Sequence, residues 1–191
     1  DYFEQVMDSP ESAIPPGLLR KADGIIIMRQ FKIGMGLGIK GGGGIAMARD
    51  GKTGQWSAPA FLKAGEASIG LQLGGQVLDS VFLLMNEEGM NLLSQTQFRV
   101  GVDAAATAGP HGAEAEAKYS GDLPILVYSD IGGLYAGATF EGGFLVPDHK
   151  ANAAYYHDEA ILMGEILFKN KVEKTAEAKK LIELIEKRSK K

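Results

Sequence analysis

The chain has 191 residues, of which 45% are hydrophobic and 23% are charged, and its formal net charge is −4. This composition is typical of one soluble globular domain with a sizeable core, and it excludes a disordered or collagen-like chain. Cysteine is absent, which excludes disulfides, a thiolate nucleophile and a cysteine metal site. No stretch approaches the ~18 apolar residues of a membrane-spanning helix.

The charge is divided unevenly along the chain. Residues 169–191 carry nine Lys or Arg and four Glu, which leaves a balance of −9 on the rest. We therefore predict a domain over residues 1–168 followed by a basic C-terminal helix over residues 169–191. Such a tail either marks contact with an anionic surface or places cations where they suit a helix dipole.

The first 28 residues predict two helices and the start of a strand. Residues 1–7 read as the end of a helix. Pro15 and Pro16 open a short second helix, because proline is tolerated in the first helical turn, and Gly24 ends it. The β-branched residues 25–28 then begin a strand.

Glycine alternates with apolar residues over positions 34–40 and then runs unbroken from 41 to 44. Successive side chains of a strand point to opposite faces, so one face of this segment is bare backbone. Because glycine is unfavourable in a strand, we expect another element to pack closely against that face. A further strand over 44–49 and a turn over 50–54 follow.

The middle of the chain predicts two more strands and a helix. Residues 67–73 alternate as a strand does, residues 74–75 read as a turn, and residues 77–85 read as a strand buried on both faces. Residues 86–93 read as a short helix with Asn86 as its N-cap.

The remaining residues predict four more strands and then helices. The strands fall at 98–104, 113–120, 125–128 and 133–144, and the pattern becomes helical from Pro147. The last helix has an apolar stripe at helical spacing, formed by Ala178, Leu181, Ile182 and Ile185. The predicted fold is α+β, with a mostly antiparallel, glycine-rich sheet of roughly eight to ten strands or a partly closed barrel, and flanking helices.

Six stretches in this order resemble the SYLF domain family. They are Ile14-Pro15, Gly41 to Pro59, Gly70 to Gln76, Ala108 to Gly112, Tyr128 to Gly142, and Asn152 to Tyr156. The resemblance extends from about Ile14 to Gly164, which is most of the chain.

The resemblance implies a lipid-binding module. Eukaryotic members bind phosphoinositides, some bind actin filaments, and many carry an SH3 domain, whereas bacterial members are usually stand-alone envelope proteins with a secretion or lipoprotein signal. No SH3-like segment is present in these residues, so we predict a bacterial envelope protein, periplasmic or secreted and peripheral to a membrane. Any signal or lipid anchor would precede Asp1.

Lipid binding in the eukaryotic members depends on basic residues and an N-terminal amphipathic helix. Each basic residue near an anionic surface contributes about 1 kcal/mol. The alternative is that these are scattered surface charges that keep the protein soluble. The candidate lipid-binding residues around the glycine segment are Arg20, Lys21, Arg29, Lys32, Lys40 and Lys63.

Other chemistry is poorly supported. The glycine run lacks the Lys-Ser/Thr ending of a phosphate-binding loop. Asp79 lies within an apolar run, where the expected role is to cap backbone N–H groups or to pair with an arginine such as Arg49 or Arg99. His149 and His157 lie about 80° apart on a helix, which is not a metal-binding pair. We expect no metal, no cofactor and no nucleic-acid partner.

The predicted function is non-enzymatic binding of anionic lipid, with phosphoinositide-like or phospholipid head groups, at a membrane surface. A second hypothesis is a structural or protein-interaction domain of the envelope, in which the apolar stripe of the C-terminal helix binds a partner; a stripe packed on its own domain would remove that support. A third, an enzyme, requires a deep pocket with Asp79 beside a histidine.

Overall fold

The computed structural model describes residues 2–9, 12–112, 114–129 and 144–190; at positions 32–40, 66–76, 116 and 118 it describes the backbone alone. The strands are β1 (Gly24–Ala48), β2 (Ala60–Leu84), β3 (Ala106–Ala108), β4 (Ile125–Ser129) and β5 (Phe144–Pro147). The helices are α1 (Tyr2–Asp8), α2 (Pro16–Lys21), α3 (Glu87–Asn91), α4 (Ala115–Lys118), α5 (His149–Tyr156), α6 (Met163–Phe168) and α7 (Ala176–Ser189).

The two longest strands form one antiparallel ribbon. Pairing of β1 with β2 runs from Gly24 opposite Leu84 to Ala46 opposite Ala60, with one irregularity near its middle. The loop that joins the strands contains the predicted turn, because Asp50 accepts a backbone hydrogen bond from Gly54 and its side chain accepts others from the amides of Lys52 and Thr53.

Strand β1 doubles back, so that its two ends lie side by side. The Arg49 amide donates to the Asp23 carbonyl at 2.7 Å. A Cβ atom added to Gly44 would overlap the carbonyl oxygen of Ile27, and one added to Gly42 would overlap that of Arg29. Such a close backbone approach is open only to glycine. The close-packed neighbour expected from the sequence is therefore the first part of the same strand.

The described strands form one open sheet in the order β1-β2-β4-β3, with β5 on the other half of β2. Because β1 doubles back and β2 follows it, each of these two strands contributes two segments. The sheet therefore has seven strand segments, which are β3, β4, the two halves of β2, the two halves of β1, and β5. The neighbours are antiparallel except for β3 with β4. An α+β fold with a mostly antiparallel sheet is confirmed, and the strands in the described ranges do not close into a barrel.

Each face of the sheet carries its own core. On one face, Ile26 and Met28 pack with residues of α6 and of the 3-10 turn Leu92–Ser94. On the other face, Ile25 and Ile27 pack with side chains of α1, α2 and α7. We call this second side the α7 face. The alternation of neighbouring residues between the two cores is what a strand buried on both faces requires.

The apolar stripe of the last helix packs on the domain itself. Ala178 and Ile185 are buried, and Leu181 and Ile182 are partly buried against the core of the α7 face. The Thr175 hydroxyl accepts a hydrogen bond from the Ala178 amide and so caps the helix. The stripe is therefore not an open face for a partner, which removes the feature on which that hypothesis depended.

Several predicted boundaries are wrong. Gly74 and Gly75 do not turn the chain, because both are paired within the β1–β2 ladder. Residues 115–118 form α4 instead of a strand, in keeping with the helix propensity of Ala, Glu and Lys. Residues 98–104 form bridges around a tight turn at Gly101 (φ 83°). The predicted strand over 133–144 lies outside the described residues, apart from its last position.

Candidate functional site: a glycine-floored groove

The described residues leave part of the α7 face open. Beyond Ile27, a groove of about 560 Å³ lies on the sheet, with Gly42, Gly43, Gly44 and Ile45 of β1 along it. We call it the glycine groove. Its volume is within the range of small-molecule sites. The other lining residues are Tyr2, Phe3, Ile27, Arg29, Phe31, Phe61, Leu62, Asp148 and Leu181.

Three large apolar side chains are exposed at one end of the groove. Tyr2 is 40% exposed, Phe31 41% and Val77 55%. Phe31 and Val77 face each other across the β1–β2 ladder. The Phe31 ring lies over Gly41, where an added Cβ would come within 2.5 Å of it. A contiguous apolar patch of this kind marks an interaction surface more often than single exposed residues do.

A charged pair lies beside this patch. Arg29 donates from Nε to Asp79 Oδ1 at 2.7 Å and from Nη2 to Asp79 Oδ2 at 2.6 Å. Its guanidinium also lies 4.0 Å from the centre of the Tyr2 ring and donates to Gln5 at 2.8 Å. The hydrogen bond to Asp79 and the negative charge of that carboxylate raise the pKa of Arg29 above its usual value. Arg29 therefore joins α1 to the sheet.

The partner of Asp79 differs from the two arginines that the sequence suggested. Asp79 is only 2% exposed, and its carboxylate is held by Arg29. Arg49 instead donates to the carbonyl oxygens of Arg20 and Leu19 at the end of α2 and lies over the Trp56 ring. The backbone of Arg99 pairs with Asp103. The sequence could not reveal this pairing, because it depends on the register of β1 against β2.

A second cation lies on the opposite side of Gly43 from Arg29. Lys63 is exposed and faces Gly43 in the β1–β2 ladder. The register of the doubled β1 brings Arg29 to the other side of Gly43. Since neighbouring strands are about 4.8 Å apart, the Cα atoms of Arg29 and Lys63 lie ~10 Å apart with a bare glycine between them.

The other predicted lipid-binding residues do not all join this pair. Arg20 donates from Nη1 to the Ser189 carbonyl at 2.9 Å and so caps α7, and Lys21 is exposed beside it. Both lie near Asp23, six residues along the strand from Arg29, which corresponds to about 20 Å. Lys32 and Lys40 are opposite Gln76 and Glu66 in the ladder; their side chains lie outside the described residues.

On the side of the groove next to α5, contacts between that helix and Phe61 of β2 hold the lining in place. The Asn152 side chain is buried, accepts from the Phe61 amide at 2.8 Å and donates to the Phe61 carbonyl at 3.2 Å. Asp148 caps α5 through the Ala151 amide. The Phe61 ring contacts Tyr155 edge-on, at 5.0 Å between ring centres. These contacts fix the orientation of the lining on this side.

Metal-ligand geometry and membrane-spanning helices are absent from the part of the chain that the structure describes. His149 and His157 are exposed on or next to α5. Among the described residues, no three His, Asp or Glu side chains are grouped so as to hold a metal ion. Within those same ranges, no helix is long and apolar enough to cross a bilayer.

The sequence analysis missed Tyr2, Phe31 and Val77 as site residues. A signal was available, because Phe31 continues the odd-numbered positions that begin with the buried residues Ile25 and Ile27. That α1 and α7 stop short of Phe31 is a tertiary feature, which the sequence pattern does not contain.

Fold and groove together define a small α+β domain with an open, mainly apolar surface groove flanked by cations. The family comparison is more specific. Residues 65–188 match the Ysc84 family, described as "Las17-binding protein actin regulator", whose domain is the SYLF domain. The chain belongs to this family, which confirms the resemblance inferred from the sequence.

Three relatives show the extent of the similarity. Protein YSC84 of Saccharomyces cerevisiae is 30% identical over 94% of this chain and 39% of its own length. LAS seventeen-binding protein 3 of the same yeast is 32% identical over 82% of this chain and 36% of its own length. SH3 domain-containing YSC84-like protein 1 of Xenopus laevis is 29% identical over 94% of this chain and 54% of its own length.

The chain thus spans between about a third and just over half of the length of each of these relatives. Their names describe a protein that binds LAS seventeen and an SH3 domain-containing protein, and none of the names describes an enzyme. No solved structure gives a significant match.

Proposed function

We propose that this domain binds anionic lipid at a membrane surface and performs no catalysis. The observation that carries the proposal is the exposed patch of Tyr2, Phe31 and Val77 beside Arg29 on one face of the sheet. Peripheral membrane proteins combine apolar side chains that enter the interface with cations that attract anionic head groups. The patch supplies the first feature, and Arg29 and Lys63 supply the second.

The predicted cations have different roles in this proposal. Lys63 is exposed and contributes mainly charge, whereas Arg29 is partly neutralised by Asp79 and orients the patch through Tyr2. Lys32 and Lys40 remain predicted contacts on the doubled ribbon. Arg20 and Lys21, at the far end of α2, would meet the same bilayer only as a second, separate contact.

The first test compares vesicle binding of the wild type with that of Lys63→Glu. Co-sedimentation with phosphatidylcholine vesicles, with and without phosphatidylserine, is measured over a salt series. We expect binding only to the anionic vesicles, weakening with salt because surface charges are screened. Reversal of Lys63 changes the local charge by two units, and at ~1 kcal/mol per charge the affinity falls about tenfold or more.

The matched control is Lys52→Glu, which makes the same charge change in the exposed turn at the other end of the ribbon. We expect it to bind anionic vesicles within about twofold of the wild type, a difference of ~0.4 kcal/mol. Equal binding to neutral and anionic vesicles, binding to neither, or an equal loss in both variants contradicts the proposed surface.

A protein-interaction domain is the second candidate function. Its support is the family description and the name of the yeast relative that binds LAS seventeen. Since the stripe of α7 is packed, a partner would have to use another surface, such as the exposed Leu162 and Phe168 around α6. Crosslinking in host cells, comparing the wild type with a Leu162→Glu/Phe168→Glu variant, tests it; an unchanged set of crosslinked proteins contradicts that surface.

The bacterial envelope location remains a prediction from the sequence. Fractionation of host cells tests it together with the proposed membrane contact. Recovery in the membrane fraction that is released by high salt supports a peripheral protein, because electrostatic attachment weakens with ionic strength. Recovery in the cytosol alone contradicts the envelope location.

A further inference from the structure

The three consecutive glycines on the groove have different reasons to be glycine. At Gly42 and Gly44, an added Cβ would overlap a backbone carbonyl of the first part of β1, so packing requires glycine there. At Gly43, the only described atom that an added Cβ would meet is the Leu62 carbonyl oxygen, at 3.8 Å, which is an ordinary contact. Packing against the described residues therefore gives no reason for glycine at position 43.

Gly43 is nevertheless in an unfavourable place for glycine. It lies inside a strand, where glycine lowers stability relative to residues that have a side chain. It is also exposed, so it seats no neighbouring element. The absence of a side chain at Gly43 leaves an open space between Arg29 and Lys63. This space is continuous with the groove surface at the apolar residues Ile45 and Phe61.

We propose that the glycine groove binds the single acyl chain of a long-chain fatty acid. Its carboxylate lies over Gly43 between Arg29 and Lys63, and its tail runs over Ile45 toward Leu181. This inference deepens the proposed function by naming the ligand class of the same surface, and it rests on that function for access to membrane lipid.

The chemistry of the groove selects this occupant. The lining is mainly apolar, as an acyl chain requires, and it includes Arg29, which is paired with Asp79. Lys63 is not part of the lining but faces Gly43 in the β1–β2 ladder. Asp148, the acidic residue of the lining, accepts a hydrogen bond from the Ala151 amide and so caps α5. The groove is open along its length, and the patch of Tyr2, Phe31 and Val77 lies where a chain would leave a bilayer.

Filling the floor of the groove tests the inference. Binding of palmitate to the whole chain is measured by isothermal titration calorimetry, below the concentration at which palmitate forms micelles. We expect one saturable site in the wild type. In Gly43→Leu the leucine takes the space of several methylene groups, so the affinity for palmitate falls about tenfold or more, with Gly43→Ala in between.

Two controls separate loss of the groove from loss of the fold. Gly51→Leu adds the same side chain at an open position of the exposed turn, where no atom of the described residues lies within 4 Å of the added Cβ, and keeps wild-type affinity for palmitate. The melting temperature of Gly43→Leu is equal to that of the wild type or higher, because leucine suits a strand better than glycine does. Gly43→Ala keeps the test valid if the leucine variant fails to fold.

Each outcome decides between the two proposals. Absence of a saturable palmitate site, or wild-type affinity in folded Gly43→Leu, overturns the groove inference. If anionic vesicles are bound in that case, the proposed function stands without it. If palmitate binds and Gly43→Leu abolishes it, while anionic vesicles are not bound, the groove inference stands and the membrane-surface function fails.

Discussion

At the scale of single residues, Arg29 has a structural role that any binding experiment must take into account. It neutralises the carboxylate of Asp79, which is 2% exposed, and it also contacts Tyr2 and Gln5 of α1. A charge left unpaired in such a place is strongly destabilising, whereas replacing both members by apolar residues is often neutral. Loss of lipid binding on mutation of Arg29 would therefore not by itself identify a lipid contact.

This role gives a prediction for stability. We expect Arg29→Met to lower the free energy of unfolding, because the carboxyl group of Asp79, which is 2% exposed, loses the guanidinium that holds it. The double variant Arg29→Met/Asp79→Leu should recover most of that loss. Urea unfolding followed by circular dichroism measures both. A single variant as stable as the wild type, or a double variant no better than the single one, would show that the pair is not coupled.

At the scale of elements, the doubling back of β1 determines both the sheet and the groove. The strand halves approach so closely that Gly42 and Gly44 have no room for a side chain, while Gly43 faces open space. One run of glycines therefore serves two purposes, close packing at alternate positions and an open floor between them, as the period of two in a strand requires.

The same alternation predicts opposite effects of one substitution at neighbouring positions. Gly44→Ala should lower the free energy of unfolding by ~2 kcal/mol or more, because the new methyl group overlaps the backbone at Ile27. Gly43→Ala should change it by no more than ~0.5 kcal/mol, or raise it slightly. Thermal and urea unfolding of the two variants measure the difference. Equal effects at the two positions would be inconsistent with the doubled strand.

Local patterns predicted the local elements well. The turn after Asp50, the cap at Asn86, the strand over 125–128 and the stripe of α7 follow from turn residues, side-chain caps and periodicity, and the structure contains all four. The need for a close neighbour at the glycines also followed from the missing side chains.

What the patterns could not predict depends on contacts between distant residues. Gly74 and Gly75 look like a turn, but ladder pairing with Gly34 and Ile33 keeps them in a strand. For the same reason the sequence identified Arg29 and Lys63 as cations without showing that they flank Gly43. The sequence also identified Arg20 as a cation without showing that it caps α7 and lies far from Arg29 and Lys63.

At the scale of the whole molecule, the net charge of −4 opposes contact with an anionic bilayer except where cations are grouped. The account therefore predicts one orientation, with the exposed patch toward the membrane and the β1–β2 turn away from it. The natural tryptophan marks the far end, because Trp56 is 2% exposed beneath Arg49 near that turn. It is the one tryptophan in the sequence, so it reports on that end alone.

Fluorescence quenching by anionic vesicles that contain brominated phospholipid tests this orientation most directly. The account predicts that Trp56 in the wild type keeps its emission when the protein binds, whereas an added tryptophan in Phe31→Trp lies among the acyl chains and is quenched. Bound protein in which Trp56 is quenched, or in which Phe31→Trp shows no more quenching than the wild type, would contradict the claim that the patch at the glycine groove meets the membrane.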